Sequence, residues 1–242
     1  MTEIVDDIIE VISQLSLSHC IITGFSCFGI LALEVAKRQD PRVKGVVLVS
    51  TPPGWSAEIV AAGQSHFDQQ ASIERKSNDA QRKEHFLKIK KPNESIGSVN
   101  AYAADAARYW KDFTLSHDFF ELLWQDIHVD DRIINHFFST LLPAHDLAID
   151  LNKITVPVVL FSGQLDYDSI PLILWKSFPK PPNFIFVDCG ETGHWPQLEN
   201  PIFLRRHLNI GYRNRDFYHD LIFSEDFEYK KRYCLTSLHE RE

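Results

Sequence analysis

Long uninterrupted apolar runs are missing from this chain, and so is a positively charged leader. Met1 to Asp7 is acidic and no extended apolar stretch follows. That pattern predicts neither a secretory signal nor a membrane span, and makes the cytoplasm the expected compartment. Cysteine is sparse: Cys20, Cys27, Cys189 and Cys234 show neither CxxC spacing nor the density of a disulfide scaffold, so they are expected to stay reduced as small core fillers. Glycine is sparse too, ten residues spread widely with no phosphate-cradling loop, which argues against a nucleotide cofactor. His66, His85, His117, His128, His136 and His145 are scattered without HExxH or Cys/His pairing, so no metal site is expected and no cofactor is implied.

Positive charge is in deficit. A net charge of −8 disfavours nucleic acid and anionic membranes as partners. The most basic stretch, residues 75–91, holds seven Lys/Arg with Glu74, Asp79 and Glu84 around them, and Phe86 is its one candidate stacking aromatic. It is expected to be a solvated helix face. Repeats, low-complexity tracts and flexible linkers are absent as well.

What is present is a globular composition, 44% hydrophobic and 24% charged over 242 residues, enough for one substantial core. Ile4, Ile8, Val11, Ile12 and Leu15 recur at helical spacing and predict an amphipathic helix over residues 3–16. Cys20, Ile21 and Ile22 read as a buried parallel strand running into a sharp turn at residues 24–26. Helix formers from Ile30 follow, ending in Lys37 and Arg38 before Pro41, and then the apolar run 43–49 stopped by Thr51-Pro52-Pro53-Gly54. This is a β-α-β unit, which implies a parallel strand pair.

From Trp55 to about Asp150 no strand-like run occurs, and the second half of this stretch is rich in aromatics, among them Tyr102, Tyr109, Trp110, Phe120 and Trp124. It reads as an inserted helical cap whose aromatics pack its own core or line an apolar pocket. Strand character returns at 156–163 and 183–189, with a short helix around Leu172 to Trp175 between them and a closing helix over 196–208. The resulting division is an α/β core from residues 1–53 and 151–208, a cap over 54–150, and a tail over 209–242 to which no role is assigned.

Gly24-Phe25-Ser26-Cys27-Phe28-Gly29 carries the chemistry, because it places G-x-S between a strand and a helix. That is the context of a nucleophile elbow, where the serine occupies a strained turn and the following helix aims its positive end at a developing oxyanion. Gly24 relieves crowding, and the backbone N–H of Cys27 is a candidate oxyanion donor. Phe28 stands where a small residue is usual, with Gly29 one place later, so a slightly altered elbow is expected. A serine hydroxyl needs a base, and the base an orienting group. Asp166 follows the strand at 156–163, and His194 follows the strand at 183–189, at the strand ends where active sites of open α/β sheets collect. Asp168 competes with Asp166 for the acid role; Asp166 is preferred for its shorter distance from the strand, with Asp168 left to cap the turn.

The order Ser26, Asp166, His194 is that of α/β-hydrolases. Residues 22–53, from I-T-G-F-S-C-F-G to V-V-L-V-S-T-P-P, resemble the elbow region of proline iminopeptidase-like α/β-hydrolases. S-G-Q-L-D-Y, P-L-I-L-W and G-H-W-P-Q-L-E-N-P resemble that group's late catalytic segments, and the stretch from Tyr109-Trp110 to Phe137-Phe138 is similar as well. The resemblance covers residues 3–208. It implies an α/β-hydrolase core with a mostly parallel sheet and an inserted helical cap, and metal-free hydrolysis of an N-terminal peptide, amide or ester bond in a small molecule or short peptide. In that group further strands and a His-Gly-Gly-type loop precede the first helix, so the core is expected to be truncated at its N-terminus, with an unpaired strand edge that invites self-association. The competing expectations are an impaired remnant that acts by binding, and an esterase or lactonase without peptidase activity.

Overall fold

The computed structural model describes residues 1–211, with side chains described through residue 206. Residues 212–242, nearly all of the tail without an assigned role, lie outside the described residues. Helix α1 (Thr2–Gln14) leads into strand β1 (Cys20–Phe25). A 3-10 turn at Ser26–Phe28 opens α2 (Gly29–Lys37), and β2 (Val43–Val49) follows. Val5 and Ile12 are buried and Ile4, Ile8 and Ile9 pack beside them, whereas Val11 and Leu15 are exposed. The apolar stripe of α1 is therefore rotated slightly from the expected one, with Val5, Ile8 or Ile9, and Ile12 meeting the core at i, i+3/i+4, i+7.

After β2 the described chain is helical until the sheet resumes: α3 (Ala57–Gln70), α4 (Ile73–Ile89), α5 (Val99–Ala104), α6 (Ala106–Tyr109), α7 (His117–Trp124) and α8 (Asp131–His136). Serines start four of these helices by accepting a backbone N–H: Ser56 from Ile59 at 3.3 Å, Ser72 from Arg75 at 3.2 Å, Ser98 from Ala101 at 3.1 Å and Ser116 from Phe119 at 3.3 Å. The sheet is then completed by β3 (Val158–Ser162), α9 (Pro171–Ser177) and β4 (Phe184–Asp188).

All strand pairs are parallel, in the order β1-β2-β3-β4, with Gly24 opposite Leu48, Val46 opposite Val158 and Leu160 opposite Phe186. Alternate residues divide between two faces. Val46, Leu48, Val158 and Leu160 join α1, α2 and Trp175 in the larger core, while Val47, Val49, Val159 and Phe161 pack with Ile21, Phe25, Phe203 and Leu204. Covering both faces explains why β2 and β3 read as continuous apolar runs.

Two expectations change. The closing helix is broken into α10 (Pro196–Glu199) and α11 (Pro201–Gly211), with Asn200 outside helical geometry at φ −145° and ψ 63°. Pro201 disfavours helical geometry at the residue before it and has no N–H to continue the ladder. The basic stretch is also more than a solvated face. Arg75 is 6% exposed and donates to the carbonyls of Ala107 (2.7 Å), Trp110 (2.8 Å) and Lys111 (2.9 Å). Arg82 donates to Ala103 (3.0 Å), Phe113 (3.1 Å) and Leu115 (2.5 Å). These guanidiniums satisfy carbonyl groups at the ends of α5 and α6 and in the segment between α6 and α7, which have no intrahelical partner.

Leu48, fully buried at the middle of the sheet, tests the packing. Leu48→Ala is expected to lower stability by about 2–5 kcal/mol, read from the urea midpoint at unchanged slope.

Candidate active site

The elbow is built from the strand outward. Phe25 is still extended, at φ −107° and ψ 139°, and Ser26 then turns to φ 53°, a left-handed conformation costly for a residue with a Cβ. Such a turn holds only if the flanking chain can approach closely. A Cβ on Gly24 would collide with the Cα of Gly29, and one on Gly29 would collide with the Thr51 side chain. The close approach that a small residue usually provides two places after the serine is thus provided by Gly29. Phe28 instead points outward, 41% exposed, and stacks on Phe137 with ring centroids 5.0 Å apart. The amides of the first turn have no intrahelical acceptor, and Cys27 lies in that turn with its side chain buried.

Two loops at the ends of β3 and β4 meet the elbow. Leu165 N–H donates to Thr192 O at 2.9 Å and Gln164 N–H to Gly190 O at 2.9 Å, which zips the two loops together. Gly163 is obligatory between them, since a Cβ there would run into the carbonyls of Thr192 and Gly193. This contact brings Asp166 and His194 together. Asp166 Oδ2 accepts from His194 Nδ1 at 2.8 Å, and the two residues are 2% and 1% exposed. The other oxygen, Oδ1, accepts the backbone N–H groups of Asp168 (3.2 Å) and Ser169 (3.0 Å). Turn-capping, the role expected of Asp168, therefore belongs to Asp166, which both shapes its loop and faces the imidazole.

Burial by itself would push the His194 pKa down; the charge and hydrogen bond of Asp166, with further contributions from Asp168 and Glu199, outweigh it and leave the pKa raised. Asp168 is raised to about 6, chiefly by loss of hydration and partly by Asp166 and Asp105, against the pull of His194 and Arg108. The Cys27 thiol is pushed well up by burial, with Asp168 adding to the rise.

The helical segment closes over this arrangement. Tyr109 O accepts the backbone N–H of His194 at 2.5 Å, and its ring lies 5.1 Å from the imidazole. Phe25 packs on the imidazole from the elbow side at 5.0 Å. Glu199 accepts from Gly193 N–H at 2.5 Å and from Lys111 N–H at 2.6 Å, clamping the histidine loop to the helices above it. Beside the pair is a cavity of about 80 Å³ walled by Pro52, Trp55, Ile59, Arg108, Asp168 and Ser169. Ser26 sits at the elbow, half-buried, with no hydrogen bond from its hydroxyl to His194 among the described residues. Asp166 and His194 are thus in contact, and Ser26 lies next to the ring that flanks them.

Ser169 forms part of the site without any signal in the sequence; Tyr109 reads there only as a cap aromatic, and Glu199 only as part of the segment that follows His194. Each acts through a backbone group or a loop contact that has no characteristic spacing. No group of metal-ligating side chains occurs among the described residues, and no helix among them is long and apolar enough to cross a membrane.

The parallel sheet, the strained elbow after β1 and the acid and histidine loops after β3 and β4 define an α/β-hydrolase fold. Comparison with known proteins agrees. The chain is 28% identical over 200 residues to the AB hydrolase superfamily protein YclE of Bacillus subtilis (strain 168), covering 81% of this chain and 69% of that protein. Among solved structures it is similar to a proline iminopeptidase of Mycobacterium smegmatis, with a TM-score of 0.58 at 19% identity, covering 84% of this chain and 68% of the other. It is also similar to an esterase from Exiguobacterium antarcticum, with a TM-score of 0.59 at 19% identity, covering 87% and 73%. No family model matches the chain. The chain has the α/β-hydrolase fold, shared with these relatives.

Gly163→Ala is expected to force the two loops apart and to lower stability by about 1–3 kcal/mol, as overpacking does. A denaturation midpoint equal to that of the unsubstituted protein would show that the loops do not depend on this contact.

Proposed function

We propose that this protein is a serine hydrolase that cleaves an ester, amide or N-terminal peptide bond of a small molecule or short peptide through an acyl-enzyme. The observation that carries this reading is the buried 2.8 Å hydrogen bond between Asp166 and His194, held one loop away from a serine in a left-handed turn. Asp166 keeps the proton on Nδ1, which leaves Nε2 as the basic nitrogen. In the first step Ser26 Oγ attacks the carbonyl carbon while its proton passes to Nε2. The tetrahedral oxyanion is met by the first-turn amides, with Cys27 N–H as one donor. The imidazolium then gives its proton to the leaving group, and water, activated in the same way, releases the acid and restores Ser26. Catalytic hydrogen bonds to the nucleophile commonly tighten when substrate binds, which accommodates the lack of a Ser26–His194 hydrogen bond among the described residues. The helical segment over 54–150 serves in this reading as a cap over the bound substrate.

Labelling with a fluorophosphonate probe tests the nucleophile. The unsubstituted protein is expected to label and Ser26→Ala to remain unlabelled; equal labelling of the two would remove Ser26 from its role. Asp166→Asn is expected to lower kcat by about 10⁴-fold, the scale of a base held in the wrong tautomer. The pH dependence follows from the raised pKa of His194: protonated imidazole cannot act as base, so the rate falls as pH drops through a midpoint above the ordinary histidine value of 6.5. A rate profile with its acid midpoint below that value would contradict the assignment. Comparing prolyl amides with short acyl esters separates peptidase from esterase activity.

A second reading, an impaired hydrolase that acts by binding, is favoured by one observation. Among the described residues β1 is paired on one side only, so its other edge presents free backbone groups that support self-association. A folded protein with no turnover and a concentration-dependent mass in solution would select it.

A further inference from the structure

Ser169 is fully buried and belongs to neither role assigned so far. Its hydroxyl lies 3.3 Å from His194 Nδ1 and 3.4 Å from Asp168 Oδ2, between the imidazole and a carboxylate at the cavity wall. The direction of these contacts follows from chemistry. Asp166 already accepts from Nδ1 at 2.8 Å, so that nitrogen carries the proton and Ser169 Oγ can only accept from it. The hydroxyl hydrogen is then free to donate, and Asp168 Oδ2 is the acceptor within reach. His194 Nδ1–H is therefore shared between a short bond to Asp166 and a longer one to Ser169, whose own proton points to Asp168.

We propose that Ser169 and Asp168 form a second branch on His194 Nδ1, so that the base is positioned by two carboxylates, one in direct contact and one acting through a hydroxyl. The inference rests on the reading of His194 as the base. No proton moves along the branch: in the chemical step the Ser26 proton arrives at Nε2, while Nδ1 keeps its own. The branch acts by polarisation, stabilising the imidazolium that forms.

Electrostatics support the geometry in both directions, because Asp168 raises the pKa of His194 and His194 lowers that of Asp168. The other groups facing the branch are Asp166 and the elbow residue Cys27, Asp105 and Arg108 from the helical segment, and Tyr102 and Tyr109, whose phenols burial and Asp168 hold in the neutral form. Glu199 faces His194, and His66 on α3 faces Asp166. With Asp168 raised to about 6, the branch is charged at neutral pH and is discharged in mild acid, over the same interval in which histidine titrates. Ser169 and Asp168 are positioning residues in this scheme.

Ring-nitrogen and ring-proton NMR of the full chain labelled in histidine, with His194 assigned by difference against Asp166→Asn, tests this without any turnover. In Asp168→Asn and in Ser169→Ala, the midpoint of His194 is expected to fall by about one pH unit, the lower end of the effect of a nearby opposite charge. The Nδ1-bound proton should persist in both, since Asp166 still holds it. A midpoint unchanged in either variant overturns the branch. Should a variant fail to fold, the unsubstituted protein decides: the ring protons of His194 are expected to show a second inflection at about 6, from Asp168. A single-step titration there overturns the proposal. Failure of the hydrolase reading is distinguishable, because it appears as missing fluorophosphonate labelling and leaves the titration intact.

Discussion

The pairing of β2 with β3 is the constraint on which the site depends. Val46 to Val49 lie beside Val158 to Phe161, and between those two short strands the chain makes its whole excursion through the helical segment. Closing so long a loop has an entropic cost that only extensive burial offsets. The fully or nearly fully buried Val46, Leu48, Val158 and Leu160 on one face, and Val47, Val49, Val159 and Phe161 on the other, supply that burial. Once the strands are in register, the acid loop after β3 stands two strands from the elbow after β1, and the histidine loop comes one strand further along. The geometry of the candidate site is in this sense a by-product of sheet register.

Around that frame the protein places several ionisable groups where water is scarce. An uncompensated buried charge is costly, and the arrangement avoids one by sharing. Asp166 spreads its charge over His194 and two backbone N–H groups. Arg108 is held by Asp79 at 3.1 Å and by Gln64 at 2.9 Å. Glu199 is held by two backbone amides from different segments. Each of these interactions also ties the helical segment or a loop to its neighbour, so polar satisfaction and positioning are achieved by the same contacts. Asp168 is the exception: its side chain is held among the described residues by a long hydrogen bond from Ser169, and loss of hydration raises its pKa.

Much of the core and part of the candidate site were legible in the sequence because they are local. Strands β1 to β4 stand out as short apolar runs, and the elbow stands out because Gly24 and Ser26 fall between a strand and a helix. What was not legible depends on contacts between distant segments. Nothing in residues 75–91 says that Arg75 and Arg82 turn inward, because their acceptors are carbonyl groups of residues 103–115, which every sequence possesses. The exposure of Phe28 likewise depends on Gly29 meeting Gly24 and Thr51.

By itself the sequence determined that the chain is an alternating α/β protein with a long helical excursion, and which serine, acids and histidine stand at strand ends, because periodicity and turn chemistry act over a few residues. Only the tertiary structure decided between Asp166 and Asp168. Both carboxylates are chemically able to face an imidazole. The choice is made by the loop turn that Asp166 Oδ1 closes and by the contact of Gly163 with Thr192, which together put Oδ2 at hydrogen-bond distance from His194 and leave Asp168 at the cavity wall.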